Sequence, residues 1–208
     1  VHIGLDQGEA ITCIFTNRSN VEPEEHYDPP VPGFTDLDVL PRTGFAPGRI
    51  TNLIDQPAMK RYDTSPLRLT IPSMDVSLEV FGVPRTDGYW DVTWLGKNAG
   101  YIEGSAYPMQ EGNSIITAHV WDEYNNPGPF FGLKELKYGD RFMLTAYGKT
   151  YIYEVRESER IAETEVDQLM TPKESGIWTT LMTCEAYDEG TERYAYRRFV
   201  RAVLIEIQ

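Results

Sequence analysis

The sequence predicts a mainly β protein: a closed β-barrel with a few short helices, preceded by an extended proline-rich linker. Three observations carry this reading. Short apolar or alternating runs recur from Leu67 onward, polar connections containing glycine separate them, and the stretch 21–65 is crowded with prolines and has no period. The elements follow in order. "LRLTI" is a short strand, and "VSLEVFGV" is a second with period-two alternation. "NSIITAHV" is an apolar run of the buried-strand type that ends in a histidine. "GDRFMLTAYGKTYIYEVRESERI" reads as two strands about a Gly148-Lys149 turn. "TTLMTC" and "YAYRRFVRAVLIEI" supply two more strands. "GPFFGLKEL" and "TEVDQLMTPKES" are the places for short helices, and "GYWDVTWLGKNAGYIEGSAYP" reads as a packed irregular crossing beneath a cleft.

Three segments result. Residues 1–20 hold "EAITCIFTN", an alternating strand that cannot bury a core alone and reads as the remnant of an upstream β domain. It resembles the closing strand of Ig-like or prealbumin-like repeats in bacterial surface adhesins, and its Cys13 faces inward on that reading. Residues 21–65 form the linker, because proline fixes φ and removes a backbone donor. Residues 66–208 form the barrel.

Composition narrows the functions. With 19 basic and 32 acidic residues, the net charge is −13. Nucleic-acid binding needs a positive surface that releases counterions, so a nucleic-acid partner is excluded. Apolar runs long enough for a membrane helix are missing, and "VHIGLDQGEAITC" lacks the basic start and apolar core of a signal peptide. An export signal or anchor is therefore expected outside these residues. No cofactor is implied, and the scattered carboxylates, Glu163 and Glu165 among them, lack the loop spacing of a calcium site.

Three side chains carry chemistry. His119 ends the "IITAH" run, Cys184 ends "TTLMTC", and Arg197 lies in the following strand. A cysteine attacks as thiolate, a histidine can protonate a leaving amine, and an arginine can stabilise an oxyanion. The competing reading is structural: a buried cysteine, an edge histidine and solvated arginines within a non-catalytic, adhesin-associated surface module. A papain-like hydrolase fits poorly, because there the cysteine rides on a helix.

"TLMTC", Thr180 to Cys184, resembles the Thr-Leu-X-Thr-Cys signature of sortases, the cysteine transpeptidases of bacterial cell surfaces. His119 in "ITAHV" and Arg197, thirteen residues beyond the cysteine (197 − 184), match that family in order, over about Pro66 to Gln208. Arg198 is adjacent and on a strand faces the other way, so only one of the two can enter a cleft; the family spacing favours Arg197. The signature does not separate the sortase classes. The resemblance implies a sortase-type barrel and an extracellular, cell-surface or cell-wall location. It implies that Cys184 attacks a Leu-Pro-X-Thr-Gly sorting signal between Thr and Gly, with Arg197 on the oxyanion and either the backbone N–H after Cys184 or the Thr183 hydroxyl as a helper. The thioacyl-enzyme then passes its cargo to an amine acceptor on peptidoglycan or a pilin-like protein. By the same resemblance, the segment from Ile161 to Trp178 walls the peptide groove, with Ala162, Val166 and Leu169 as lining residues.

One motif remains. Leu40-Pro41-Arg42-Thr43-Gly44 itself matches the pattern of such a sorting signal, placed inside the linker. Two uses differ in consequence. Residues 40–44 could fold into the chain's own cleft as a pseudosubstrate lid, or serve as a cleavage site for the upstream module. A turn formed by chance is the plain alternative.

Overall fold

The computed structural model describes residues 40–53, 59–63, 65–163, 169 and 175–208, all within one compact unit, Thr35–Gln208. The predicted strand at 1–20, the linker as far as residue 39, Val166 and most of the second expected helix lie outside the described residues.

Eight strands close a barrel in the order β1-β2-β5-β6-β9-β10-β8-β7. They are β1 (Leu67–Ile71), β2 (Val76–Val83), β5 (Ala99–Ile102), β6 (Gly112–Thr117), β7 (Arg141–Ala146), β8 (Lys149–Ala162), β9 (Ile177–Asp188) and β10 (Arg193–Ile207). A small hairpin, β3 (Arg85–Thr86) with β4 (Tyr89–Trp90), stands apart. Most neighbours pair antiparallel, but β2 with β5 and β6 with β9 are parallel, which requires the long crossings before β5 and before β9. The helices among the described residues are single 3-10 turns such as Leu133–Glu135; Leu169 adds one helical residue beside undescribed neighbours.

Two expectations are refined. The β7–β8 turn is Tyr147-Gly148, one residue earlier than the sequence suggested, with φ of 51° and 74°. Both central residues therefore occupy the left-handed region that a tight right-twisted hairpin demands. The crossing at 88–108 is also more regular than expected, because Ala99–Ile102 is a barrel strand. All four of its residues are buried, so it lacks the polar alternation by which a half-exposed strand is recognised.

Apolar side chains gather in two large groups. One fills the barrel with Leu69, Ile71, Phe142, Leu144, Tyr153, Leu181, Val200 and Ala202 among others. The second packs Phe81, Val83, Trp94, Ile115, Met182 and Phe199 together with Leu40 and Leu169. Strand alternation explains the division. On β9, Leu181 points into the barrel and Met182 points out; on β10, Val200 points in and Phe199 out. The second group is thus the outer face of the β9–β10 wall, roofed by Leu40 and Leu169.

Candidate active site

The same alternation sets the chemistry. Cys184 continues the outward face of β9 begun by Met182, and Arg197 is its direct cross-strand partner on β10. Side chains at directly opposed positions share a face. Arg198 opposes Thr183 instead and makes a two-point pair with Glu185 at 2.6 and 3.1 Å. This separates the two adjacent arginines by face: Arg197, 1 % exposed, lies on the cysteine side of the strand pair, while Arg198 lies on the Thr183 side. His119 lies two residues beyond β6, whose ladder with β9 ends at Thr117 opposite Met182. All three chemistry-bearing residues therefore converge where the β6–β9 ladder opens.

The gap beyond that ladder is filled by Thr43, which is fully buried. Its carbonyl oxygen accepts from the Val120 N–H at 3.0 Å. Its hydroxyl oxygen accepts from the Cys184 N–H at 3.0 Å. Its own N–H donates to Cys184 Sγ at 3.1 Å. Thr183 reaches the carbonyl of Thr43 at 3.4 Å, but its better acceptor is the Ala118 carbonyl at 2.8 Å. On either side the chain continues to dock. Leu40 is 2 % exposed within the outer apolar group, and the Phe45 N–H donates to the Trp121 carbonyl at 3.1 Å.

Glu163, just beyond β8, joins the docked segment to Arg197. Its Oε1 accepts from Arg197 at 3.1 Å and from Arg42 Nε at 3.3 Å. The Arg197 Nε–H is buried and has no partner among the described residues. Glu163 was read in the sequence only as a discarded calcium ligand; what brings it to the site is the end of β8 next to β10, a pairing that residue spacing does not reveal. Leu169, foreseen as a wall residue, shares the apolar group with Leu40, and the Asn113 side chain fixes its carbonyl at 2.7 Å. Ala162 closes β8 opposite Tyr196, half-buried.

His119 is 2 % exposed and lies against the Phe45 ring, centroids 5.2 Å apart. Neither ring nitrogen makes a well-aligned hydrogen bond among the described residues. Burial pushes its pKa down to about 4, opposed by the Val92 backbone and by the Asp122 and Asp91 carboxylates. Beside the sulfur, a cavity of about 290 Å³ opens between Trp121, Phe131, Lys134, Tyr187 and the Glu185–Arg198 pair. Among the described residues no group of three or more His, Cys, Asp or Glu side chains could hold a metal, and no helix is long and apolar enough to cross a membrane.

The family model for the sortase domain matches residues 69–205. This chain belongs to the sortase family. It is 30 % identical to sortase A of Listeria monocytogenes over 126 residues, which is 61 % of this chain and 52 % of the other; the match spans about half of that relative. The sortase fold is equally evident in solved structures. Sortase C-1 of Actinomyces oris superposes with a TM-score of 0.55 at 26 % identity, covering 70 % of this chain and 76 % of that one. Sortase A of Corynebacterium diphtheriae gives 0.58 at 25 %, covering 71 % and 62 %. The sortase match begins at Leu69, within β1, so the docked residues 40–44 precede it.

Proposed function

We propose that this sortase domain is a cysteine transpeptidase that cleaves Leu-Pro-X-Thr-Gly signals between Thr and Gly, and that residues 40–44 are its own pseudosubstrate lid. The observation that carries the proposal is the seat of Thr43, the residue before the bond to be cut, against Cys184 Sγ at 3.1 Å.

The chemistry follows from the side chains at the gap. The Cys184 thiolate adds to the threonine carbonyl, forming a C–S bond and moving the carbonyl electrons onto oxygen, where Arg197 supplies positive charge. Collapse of this intermediate breaks the C–N bond, and imidazolium His119 gives its proton to the departing glycine nitrogen. The acyl-enzyme thioester is then attacked by an amine acceptor, on peptidoglycan or a pilin-like protein, whose excess proton returns to His119 while the thiolate leaves. Site and family together favour cell-surface proteins bearing sorting signals as the donors, at an extracellular or wall-associated location.

The docked geometry disfavours attack on the Thr43–Gly44 bond. The Thr43 carbonyl is turned to the Val120 amide, and Arg197 is engaged by Glu163. These two features favour the lid over self-cleavage of the upstream module. They also weigh against an inert surface module, since a purely structural cysteine has no call for a threonine amide on its sulfur.

A quenched Leu-Pro-Arg-Thr-Gly peptide tests this. The native chain should turn it over slowly, Leu40→Asp should raise the rate at least about tenfold by expelling the lid from its apolar seat, and Cys184→Ala should abolish it. No turnover by Leu40→Asp, with the fold intact by circular dichroism, would sink the enzymatic reading.

A further inference from the structure

The docked segment does not stop at the glycine. Its next residue, Phe45, is held by three contacts. The Phe45 N–H donates to the Trp121 carbonyl at 3.1 Å, its carbonyl accepts from the Tyr194 hydroxyl at 2.6 Å, and its ring lies on His119. Tyr194 is 5 % exposed and burial pushes its phenol pKa up, so the hydroxyl remains a donor. The residue before it has no freedom of size. A Cβ on Gly44 would stand 2.5 Å from Val120 Cγ1 and 3.1 Å from the Tyr194 hydroxyl. The β-branched Val120 is stiff about χ1 and cannot easily swing aside.

We propose that this cleft reads a hexapeptide: its sorting signals continue past the glycine with an aromatic residue, received by a subsite built from His119, the Trp121 carbonyl and Tyr194. The inference rests on the transpeptidase reading for its biological use, but the subsite itself is a matter of binding. The two contacts to the Phe45 backbone, one strand-like to Trp121 and one from the Tyr194 hydroxyl, take any residue in extended form and carry no sequence information. Selectivity comes from the ring. An aromatic side chain covers the imidazole face, where a small or acidic residue leaves it wet. Further along, Ala46 is buried but presents only a methyl group, and the polar contacts are exposed ones, Arg49 to Glu192 at 2.8 Å and the Gly48 N–H to Asn125 Oδ1 at 2.7 Å; such pairs discriminate weakly. The selective reading therefore ends at the sixth residue.

The test uses the full chain with its own segment expelled, Leu40→Asp with Phe45→Ala. Binding of Leu-Pro-Arg-Thr-Gly-Phe and of the Tyr, Ala and Glu versions is measured by titration in a Cys184→Ala background, and turnover in the background that keeps the thiol. An aromatic contact of this kind should favour Phe and Tyr over Ala by about five- to tenfold in Kd, with Glu weakest. N-methylation of the Phe amide, which removes the donor to Trp121, should weaken binding at least about fivefold. Equal binding of all four peptides, or no binding, overturns the subsite. The ranking in Kd without any cleavage leaves the subsite standing and removes the transpeptidase reading; cleavage without ranking does the reverse.

Discussion

At the scale of single residues, the proposed lid makes Glu163 its link to Arg197, because one carboxylate serves two guanidinium groups. The two pairs differ in environment. Arg197 is 1 % exposed at its side chain, so removing its partner leaves a buried cation uncompensated. Arg42 is 40 % exposed, and such a pair contributes about 0–1 kcal/mol. Arg42→Glu should thus undock the lid only a few-fold, read as a few-fold faster turnover of a peptide in trans, whereas Glu163→Gln should lower kcat through Arg197 as well as loosen the lid. If Arg42→Glu and Glu163→Gln proved equivalent in both kcat and lid occupancy, the shared-carboxylate account would fail. Gly44→Ala belongs to the same scale. Its added methyl meets Val120 at 2.5 Å, so the lid should dock at least about tenfold more weakly, measured as faster alkylation of Cys184 at fixed pH.

At the scale of elements, the lid segment couples docking to a proton. With Phe45 across it, His119 has a pKa of about 4, against an ordinary value of 6.5. A displaced lid lets water reach the ring and returns the pKa toward 6.5, so between these values the undocked state binds more protons. Acidification from pH 6.5 toward 4 should therefore release the lid, by at most about tenfold per pH unit. Docked and free populations from the Thr43 and Gly44 amide resonances measure this, and His119→Gln should flatten the profile; a profile unchanged by that substitution would show that the imidazole does not set it. Element by element, the sequence was unevenly readable. β1, β2 and β10 were plain because their side chains alternate or run apolar between polar turns. β5 was not, since four buried residues between glycine-rich flanks show no period. Cys184, His119 and Arg197 were legible by type and order, and Leu40-Pro41-Arg42-Thr43-Gly44 by its motif. Glu163 and the Phe45 seat were hidden, because each depends on which loop ends meet across the barrel wall.

At the scale of the whole molecule, the two apolar groups lie on opposite sides of one wall and do different work. The inner group closes the barrel, and backbone pairing seals the last seam: Thr150 and Gln208 exchange N–H···O bonds of 2.9 and 2.8 Å. The outer group includes Leu40, which belongs to the lid. Stability of the fold and occupancy of the site should therefore separate under mutation. Phe142 is fully buried inside the barrel and stacks on Tyr153 at 5.3 Å. Its truncation to alanine should cost about 3–5 kcal/mol, or roughly 6–20 °C in Tm for a chain of this size, while leaving the lid docked below the transition. Leu40→Asp should do the opposite: a Tm shift of only about 1–4 °C, since the barrel core is untouched, together with an exposed thiol that alkylates at least about tenfold faster. Calorimetry and thiol labelling on the same two variants decide the matter. If Phe142→Ala opened the site as much as Leu40→Asp, the wall would not insulate one group from the other, and the lid would be part of the fold rather than a ligand of it.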